Sequence, residues 1–183
     1  IFGLVAWGVS AYNALVGLDE GVDSAWAQVE NVYQRRADLI PNLVATVKGS
    51  ADFEQETPNQ VVEARSKVGA VNVDGTPTAE QMQAFQQAQG GLSSALSRLL
   101  VVVERYPDIK STEGFRDLQA QLEGAENRIA VERMRYNEIA LSFNTKRRRF
   151  PTSMIAGWFG FDEPKPYFES DEGAEAAPTV DFS

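Results

Sequence analysis

The stretch EGFRDLQAQLEGAENRIAVERMRYNEIALSF, residues 113–143, has an apolar side chain at almost every third or fourth position. This spacing places the apolar side chains on one face of an α-helix, and it does not fit the alternation of a β-strand. The positions keep a register close to seven residues, which predicts a long helix packed at a shallow angle against other long helices. They are Phe115, Leu118, Leu122, Ala125, Ile129, Tyr136, Ile139 and Phe143.

The N-terminal part of the chain predicts a second long helix. Apolar side chains recur at helical spacing from Leu15 to Val47, and the apolar run at residues 1–14 passes into this pattern without a turn. Pro41 lies inside the pattern. Because proline lacks the N–H that a helix interior needs, we expect a kink just before it and continuation of the helix to about Phe53.

The middle of the chain predicts two further helices, separated by a loop at residues 72–77 that is rich in turn-forming residues. Pro58 is typical of a first helical turn, and it predicts a short helix over residues 59–67. Thr78 and Gln81 have the spacing of a capping box. They predict the start of the next long helix, which continues to about Val103.

The last long helix has clear start and stop signals. Ser111 or Thr112 can cap its N-terminus, and the Phe150-Pro151 pair ends it. The aromatic segment 154–161, which follows, predicts a short helix that covers one end of the bundle.

These patterns divide the chain into three parts. We interpret residues 1–14 as the C-terminal part of a transmembrane helix, residues 15–161 as a helical bundle, and residues 162–183 as an acidic tail that composition predicts to be unstructured. The predicted fold class is therefore all-α: an N-terminal membrane helix that continues into an antiparallel bundle of long helices, with a short C-terminal helix.

Residues 1–14 contain no charged side chain. A helix over residues 1–11 would be about 17 Å long, which is short of the roughly 30 Å hydrocarbon core, so we expect the start of the membrane helix to lie upstream. The end of a secretory signal is the alternative interpretation. The side chains that would anchor the chain are Phe2, Leu4, Val5, Trp7 and Val9.

Composition excludes most catalytic chemistry. The chain has 0 Cys and 0 His, and these residues supply the usual zinc ligands, covalent nucleophiles and general bases near neutral pH. We therefore expect no metal and no cofactor, and carboxylate, Lys or Tyr chemistry is all that an enzyme of this composition could use. The net charge of -9 argues against a nucleic-acid partner.

Five stretches of the sequence form recognisable motifs: Tyr12-Asn13, Ala25-Trp26, QRRADLIPNLV at residues 34–44, VERYPDIK at residues 103–110, and Arg135-Tyr136-Asn137. These motifs resemble those of LemA family proteins, and the resemblance covers about residues 12–161. The resemblance implies a single N-terminal membrane helix, an antiparallel helical bundle on the cytoplasmic side and no established enzymatic reaction; some family members are associated with magnetosome membranes. The acidic end after Phe168 is longer than in typical members.

Arg35, Arg36, Asp38 and Asn42 surround Pro41, where backbone carbonyls are expected to lack their usual helical partners. In a structural interpretation, these side chains satisfy the carbonyls or pair with a neighbouring helix. In a functional interpretation, they form a contact surface for another protein.

Asn137 and Asn144 are seven residues apart, and each follows an aromatic residue, as Asn13 does. A polar side chain beside a bundle seam can set the register or the oligomeric state, so we interpret the three as seam-specifying residues. Ligand binding is the alternative interpretation.

Lys146, Arg147, Arg148 and Arg149 form a basic run at the end of the last long helix. Cations at this position complement the helix dipole, and an acidic partner or the acidic tail is the alternative contact. If the three long helices alternate in direction, the run lies on the order of 50 Å from the anchor for a helix of about 35 residues. Direct contact with lipid is then not expected.

The leading functional hypothesis is a single-pass, membrane-anchored, non-catalytic scaffold or adaptor in a bacterial envelope. It would contact lipid through its N-terminal helix and bind further copies of itself or another membrane protein. One alternative is a protein that shapes the membrane interface with segment 154–161. The second alternative is a carboxylate-based hydrolase that uses Asp38 or Glu104, which would need a second titratable group nearby in the fold.

Overall fold

The computed structural model describes residues 2–49, 53–71, 73 and 75–169, and these residues form helices and no strand. The all-helical fold class is therefore confirmed for the described residues. Within them, no helix has both the length and the apolar character that crossing a membrane requires. The helices are α1 (Phe2–Lys48), α2 (Glu56–Gly69), α3 (Ala79–Val103), α4 (Pro107–Lys110), α5 (Glu113–Arg148) and α6 (Thr152–Phe159).

The helix starts follow the local signals of the sequence. The Thr78 hydroxyl accepts a hydrogen bond from the Gln81 backbone N–H at 3.3 Å, and the Gln81 side chain accepts one from the Thr78 N–H at 2.9 Å, so the predicted capping box is confirmed. Thr112 caps α5 through the N–H of Phe115. α1 ends at Lys48, earlier than the predicted Phe53.

Pro41 lies inside α1 and leaves the carbonyl of Ala37 without its helical donor. The side chain of Arg65, on α2, supplies the missing donor: its Nε lies 3.1 Å from the Ala37 oxygen. α2 is thereby joined to α1 at the turn where Pro41 leaves a carbonyl without its helical donor. The sequence suggested that side chains next to Pro41 would satisfy this carbonyl, but its partner is Arg65 of α2.

α1 and α5 are the two helices whose backbones lie together over the greatest length. Arg36 pairs with Glu126, and Gly21 lies so close to α5 that a Cβ there would contact the Ile139 side chain at 3.5 Å. Because residue numbers fall along α1 as they rise along α5, the two helices are antiparallel. This arrangement agrees with the long antiparallel helices that the sequence predicts.

α3 runs in the same direction as α1. Its Phe85 ring lies 5.1 Å from the ring of Trp26, and its Ser93 accepts a hydrogen bond from Arg36, further along α1. The return of the chain is made by the short helix α2, so α3 starts again near the beginning of the bundle. The expectation that the long helices alternate in direction is therefore wrong for α1 and α3.

The direction of α3 changes the position of the basic run. α5 descends along α1, and α6 then packs on the first turns of α1: the rings of Tyr12 and Phe159 are 4.9 Å apart, and Ile155 lies against Gly8. Lys146–Arg149 therefore lie at the same end of the bundle as the N-terminal apolar segment. The expectation that this run lies far from the anchor is wrong.

Residues 162–169, which we call the strap, turn back from α6 and run along α5. Phe168 is only 5% exposed and belongs to the core cluster around Trp26. The prediction of an unstructured tail is therefore wrong for residues 162–169. The rest of that predicted tail, residues 170–183, lies outside the described residues.

Candidate functional site

A buried arginine joins three helices at the centre of the bundle. Arg36 is 1% exposed, and its guanidinium donates to the Glu126 carboxylate at 2.6 Å and to the Ser93 hydroxyl at 2.8 Å. It also donates to the side-chain oxygen of Gln89 at 2.6 Å. Burying a charge is costly without such partners. The pairing of Arg36 with α3 and α5 agrees with the structural interpretation in which these side chains pair with a neighbouring helix.

The other residues of the same block lie outside the bundle. Arg35, Asp38 and Asn42 are exposed, and their spacing of three and four residues places them on one face of α1. Gln34 donates a hydrogen bond to Asp38 at 2.7 Å. The structure thus separates the block into one internal residue and an exposed polar face, and a role for that face in binding stays a prediction.

The two carboxylates considered for a hydrolase are not brought together. Asp38 lies on the surface of α1, whereas Glu104 follows α3 and pairs with Lys110. A groove of about 1190 Å³ between α3 and α5 is lined by neither residue. Among the described residues, no three acidic side chains are close enough to hold a metal ion.

Tyr136 is a buried titratable residue of the aromatic cluster around Trp26, and it does not line the groove. Burial, together with the nearby Asp23 and Tyr167, raises the pKa of its hydroxyl well above the ordinary value of a tyrosine. The hydroxyl therefore keeps its proton at physiological pH. This makes Tyr136 unsuitable as a general base, and its side chain serves the core.

Asn137 and Asn144 hold the strap against α5. The Asn144 amide donates to the Lys165 carbonyl at 2.8 Å and accepts from the Lys165 N–H at 2.9 Å. The Asn137 amide does the same with Phe168, at 2.9 and 2.8 Å. Each side chain thus exchanges two hydrogen bonds with one backbone residue, as neighbouring strands do in a sheet. We call the pair the asparagine clamp.

The spacing of the clamp matches an extended peptide. Seven residues of α-helix advance about 10.5 Å, and three residues of extended or polyproline-type chain advance about 9–10 Å. Pro164 and Pro166 favour that extended conformation around the first clamped residue. The sequence indicated a special role for the two asparagines but not this partner. Asn13 is exposed on α1 and takes no part in the clamp.

An aromatic pocket receives the end of the strap. The Phe168 ring lies 5.9 Å from that of Trp26 and 5.5 Å from that of Tyr136, and the Arg133 guanidinium lies over it at 5.1 Å. At the other end of the strap, the Lys165 ammonium pairs with Asp19 at 2.6 Å. The strap is therefore bound by an aromatic anchor, an ion pair and the asparagine clamp.

The end of the bundle that carries α6 is apolar and basic. Phe150 is 81% exposed and Trp158 is 73% exposed, and Met154 and Phe159 are also exposed. The basic run adjoins this ridge: Arg147 donates to the carbonyl of Asp162, and Arg148 and Arg149 point into solvent. Among the described residues, neither of these last two arginines has an ion-pair partner.

The N-terminal turns of α1 lie at the same end. The predicted anchor residues Phe2, Val5, Trp7 and Val9 are all exposed, with Phe2 at 94%. The side chain of Leu4 lies outside the described residues. Apolar side chains of two helices therefore lie on the surface beside the exposed arginines.

Two groups of important residues were missed by the sequence reasoning. Arg65 looked like an ordinary surface residue of a short helix, and only its long-range contact with Ala37 reveals its role. Lys165 and Phe168 were included in an acidic tail. The signal that could have found them is the Pro-Lys-Pro-Tyr-Phe sequence at residues 164–168, which is unlike the acidic residues that follow it.

Comparison with known proteins gives a family and several relatives. The family model described as LemA family matches residues 25–182. The magnetosome protein MamQ 2 of Paramagnetospirillum magneticum is 26% identical over 181 residues, covering 88% of this chain and 66% of the relative. Protein LemA of Metamycoplasma hominis is 26% identical over 148 residues, covering 81% and 64%. The chain thus spans about two thirds of the length of the curated relatives it matches.

Proposed function

The chain belongs to the LemA family, and from this premise we propose that it is a non-catalytic helical scaffold or adaptor at a bacterial membrane. The N-terminal end of α1 supplies the anchor, and the bundle lies on the cytoplasmic side. The protein acts by self-association or by docking to another envelope protein. A relative that is named as a magnetosome protein supports a role in a cellular structure.

The observation that carries the proposal is the unequal distribution of side chains over the bundle. Exposed apolar residues of α1 and α6 share one end with the basic run, whereas Arg35, Asp38 and Asn42 form a polar face further along α1. An apolar and basic end fits a membrane surface, and a rigid polar face fits a protein partner. Such a molecule can hold a partner at a fixed distance from the bilayer.

The test is the mass of the full chain extracted in mild detergent and measured by native mass spectrometry. We expect a species heavier than one chain. Changing Arg35, Asp38 and Asn42 together to Ala is expected to reduce the share of that species, because the exposed face of α1 loses its charges and its amide. Changing Arg116, Asp117 and Gln119 to Ala is the matched control, since these residues have similar chemistry and are exposed on α5.

A single chain without any bound protein would contradict the scaffold proposal. If both triple variants form an oligomer of unchanged mass in unchanged amount, the protein self-associates but the exposed face of α1 is not part of the interface. Recovery of a second protein with the wild-type chain would identify the adaptor form of the proposal.

A second candidate function is favoured by the position of α6. Trp158 and Phe159 lie beside the N-terminal apolar segment, where they can enter the bilayer interface while Arg148 and Arg149 contact anionic head groups. In this form of the proposal, α6 is a second membrane contact that shapes the interface around the anchor. Each arginine near an anionic surface contributes about 1 kcal/mol to such binding.

Brominated lipids test this second contact, because bromine quenches the fluorescence of a tryptophan that reaches the acyl chains. The chain has three tryptophans, and Trp26 is buried in the bundle. In a Trp7→Phe variant reconstituted into anionic vesicles, we expect quenching from Trp158. The further change Trp158→Phe is expected to abolish it, and Arg148→Glu with Arg149→Glu to weaken it. Equal quenching with and without Trp158 would contradict insertion of α6.

A further inference from the structure

We propose that the asparagine clamp and the pocket of Phe168 form a peptide-binding site, and that its occupant in the assembled protein is the strap of a second copy of this chain. The proposal rests on the self-association in the proposed function. It names the segment that is exchanged and the surface that receives it.

The contacts of the strap are those of a recognised peptide. Two side-chain amides pair with the backbone at residues 165 and 168, so they hold in register an extended chain that has a backbone N–H at both of these positions. Phe168 and Lys165 then select the sequence, through the aromatic pocket and the ion pair with Asp19. Backbone pairing combined with side-chain pockets is how extended peptides are commonly bound by folded domains.

The first three residues of the strap, 162–164, form a short exposed link between the bundle and the clamped residues. Phe161 is held by the rings of Tyr12 and Phe143, at 5.9 and 6.4 Å, and the clamp begins at Lys165. Residues 162–164 between them are exposed, and the Arg147 side chain contacts the first of them. Such a link of three residues can span about 10 Å, and changing its path need not disturb either anchored end.

An apolar stripe beside the strap provides the place where a second copy can pack. Val131, Met134 and Leu141 are 54%, 58% and 57% exposed on α5. Met134 and Leu141 line a shallow depression together with Tyr167 and Phe168 of the strap. Exposed apolar stripes of this kind are commonly covered by another protein surface. Contact between the stripes of two copies would place their clamps next to each other.

Exchange between copies conserves the contacts that hold the strap. Each Asn clamp, each Lys165–Asp19 pair and each Phe168 pocket is filled whether the strap comes from the same chain or from the second copy. The balance is then set by the path of the link and by the apolar area that the stripes bury. A shared membrane raises the effective concentration of the copies, which favours the exchanged form.

Two complementary full-length variants separate exchange from other modes of assembly. The first has a defective strap, Lys165→Ala with Phe168→Ala, and an intact clamp. The second has an intact strap and a defective clamp, Asn137→Asp with Asn144→Asp; the carboxylates keep the shape of the side chain but cannot donate to the strap carbonyls. Retention of the wild-type helix content in circular dichroism identifies the variants as folded.

Native mass spectrometry of the two variants gives the decisive comparison. We expect each variant alone to form fewer dimers than the wild type, because neither can make an intact strap–clamp pair between copies. A one-to-one mixture is expected to recover mixed dimers, since the strap of the second variant fits the clamp of the first. The two chains differ in mass, so mixed dimers are distinguished directly.

Dimers of both variants at wild-type abundance would overturn the exchange and leave the scaffold proposal standing. A monomeric wild-type chain would overturn the second copy as occupant. The binding site itself is tested with a fluorescent peptide DEPKPYFE, residues 162–169, added to the strap-defective full chain. We expect binding at least tenfold tighter than that of the same peptide with Ala in place of Phe; equal binding would overturn the site.

Discussion

Changing Trp26 to Ala is expected to lower the free energy of unfolding by about 4 kcal/mol, a typical loss for a large aromatic side chain in a core. Trp26 is 1% exposed, and its ring contacts those of Phe85, Tyr136 and Phe168. The substitution therefore leaves a cavity between α1, α3, α5 and the strap. Urea unfolding of the full chain, followed by circular dichroism, measures the loss.

The chain contains its own matched control for this experiment. Trp158 is also on a helix but is 73% exposed, so Trp158→Ala is expected to change the free energy of unfolding by no more than about 0.5 kcal/mol. If α6 enters the membrane interface as proposed, the same variant should also lose the quenching by brominated lipids. Equal losses of stability in the two variants would contradict the packing of Trp26 at the centre of the aromatic cluster.

Changing Glu126 to Ala is expected to lower the free energy of unfolding by about 3 kcal/mol. The substitution removes the carboxylate that faces the charge of Arg36, which is almost wholly buried. Glu126 itself is about half exposed, and solvent screens part of the interaction, so the expected loss lies at the low end of the range for buried pairs. Thermal or urea unfolding of the full chain provides the measurement.

Glu123→Ala is the control for the charge that Glu126→Ala removes. Glu123 lies one turn earlier on the same helix and is exposed, so its loss should change stability by no more than about 0.5 kcal/mol. Replacing Arg36 by Met in addition to Glu126→Ala is expected to recover part of the stability, because no unpaired buried charge then remains. If Glu126→Ala leaves the free energy of unfolding unchanged, solvent alone stabilises the charge of Arg36 and the Glu126 carboxylate is not required.

The long helices, and the starts of α3 and α5, were predictable because their signals are local, whereas the short helix α4 was not predicted. The three- and four-residue spacing of apolar side chains defines α1, α3 and α5, and the Thr78–Gln81 capping box involves residues only three positions apart. Pro58 correctly indicated the first turn of α2, although that helix is longer than predicted. Information of this kind is contained in a short window of sequence.

The direction of the helices was not predictable in the same way. α2 has 14 residues, and its sequence predicted only a short helix. It nevertheless returns the chain along α1, which makes α3 parallel to α1 and moves the basic run to the other end of the bundle. The contact that positions it, between Arg65 and Ala37, joins residues that are far apart in sequence. Periodicity carries no information about such a pairing.

The candidate site was predictable in part. The repeated aromatic–Asn pattern drew attention to Asn137 and Asn144, but their partners lie 31 and 21 residues away on the strap. The acidic composition of the whole C-terminal segment hid the short stretch around Phe168 that binds them. Arg36 and Arg35 are adjacent in sequence, and only the fold shows that one is buried and the other exposed.

The pairing of α1 with α5 also determines when the bundle can form. Arg36 and Glu126 are separated by 90 residues of chain. At about 5–20 residues per second, a ribosome needs about 5–18 s to extend the chain from one of these residues to the other. During this interval the apolar face of a newly made α1 has no α5 to cover it. The contacts between α1 and α5 therefore form only after α2 and α3 have been made.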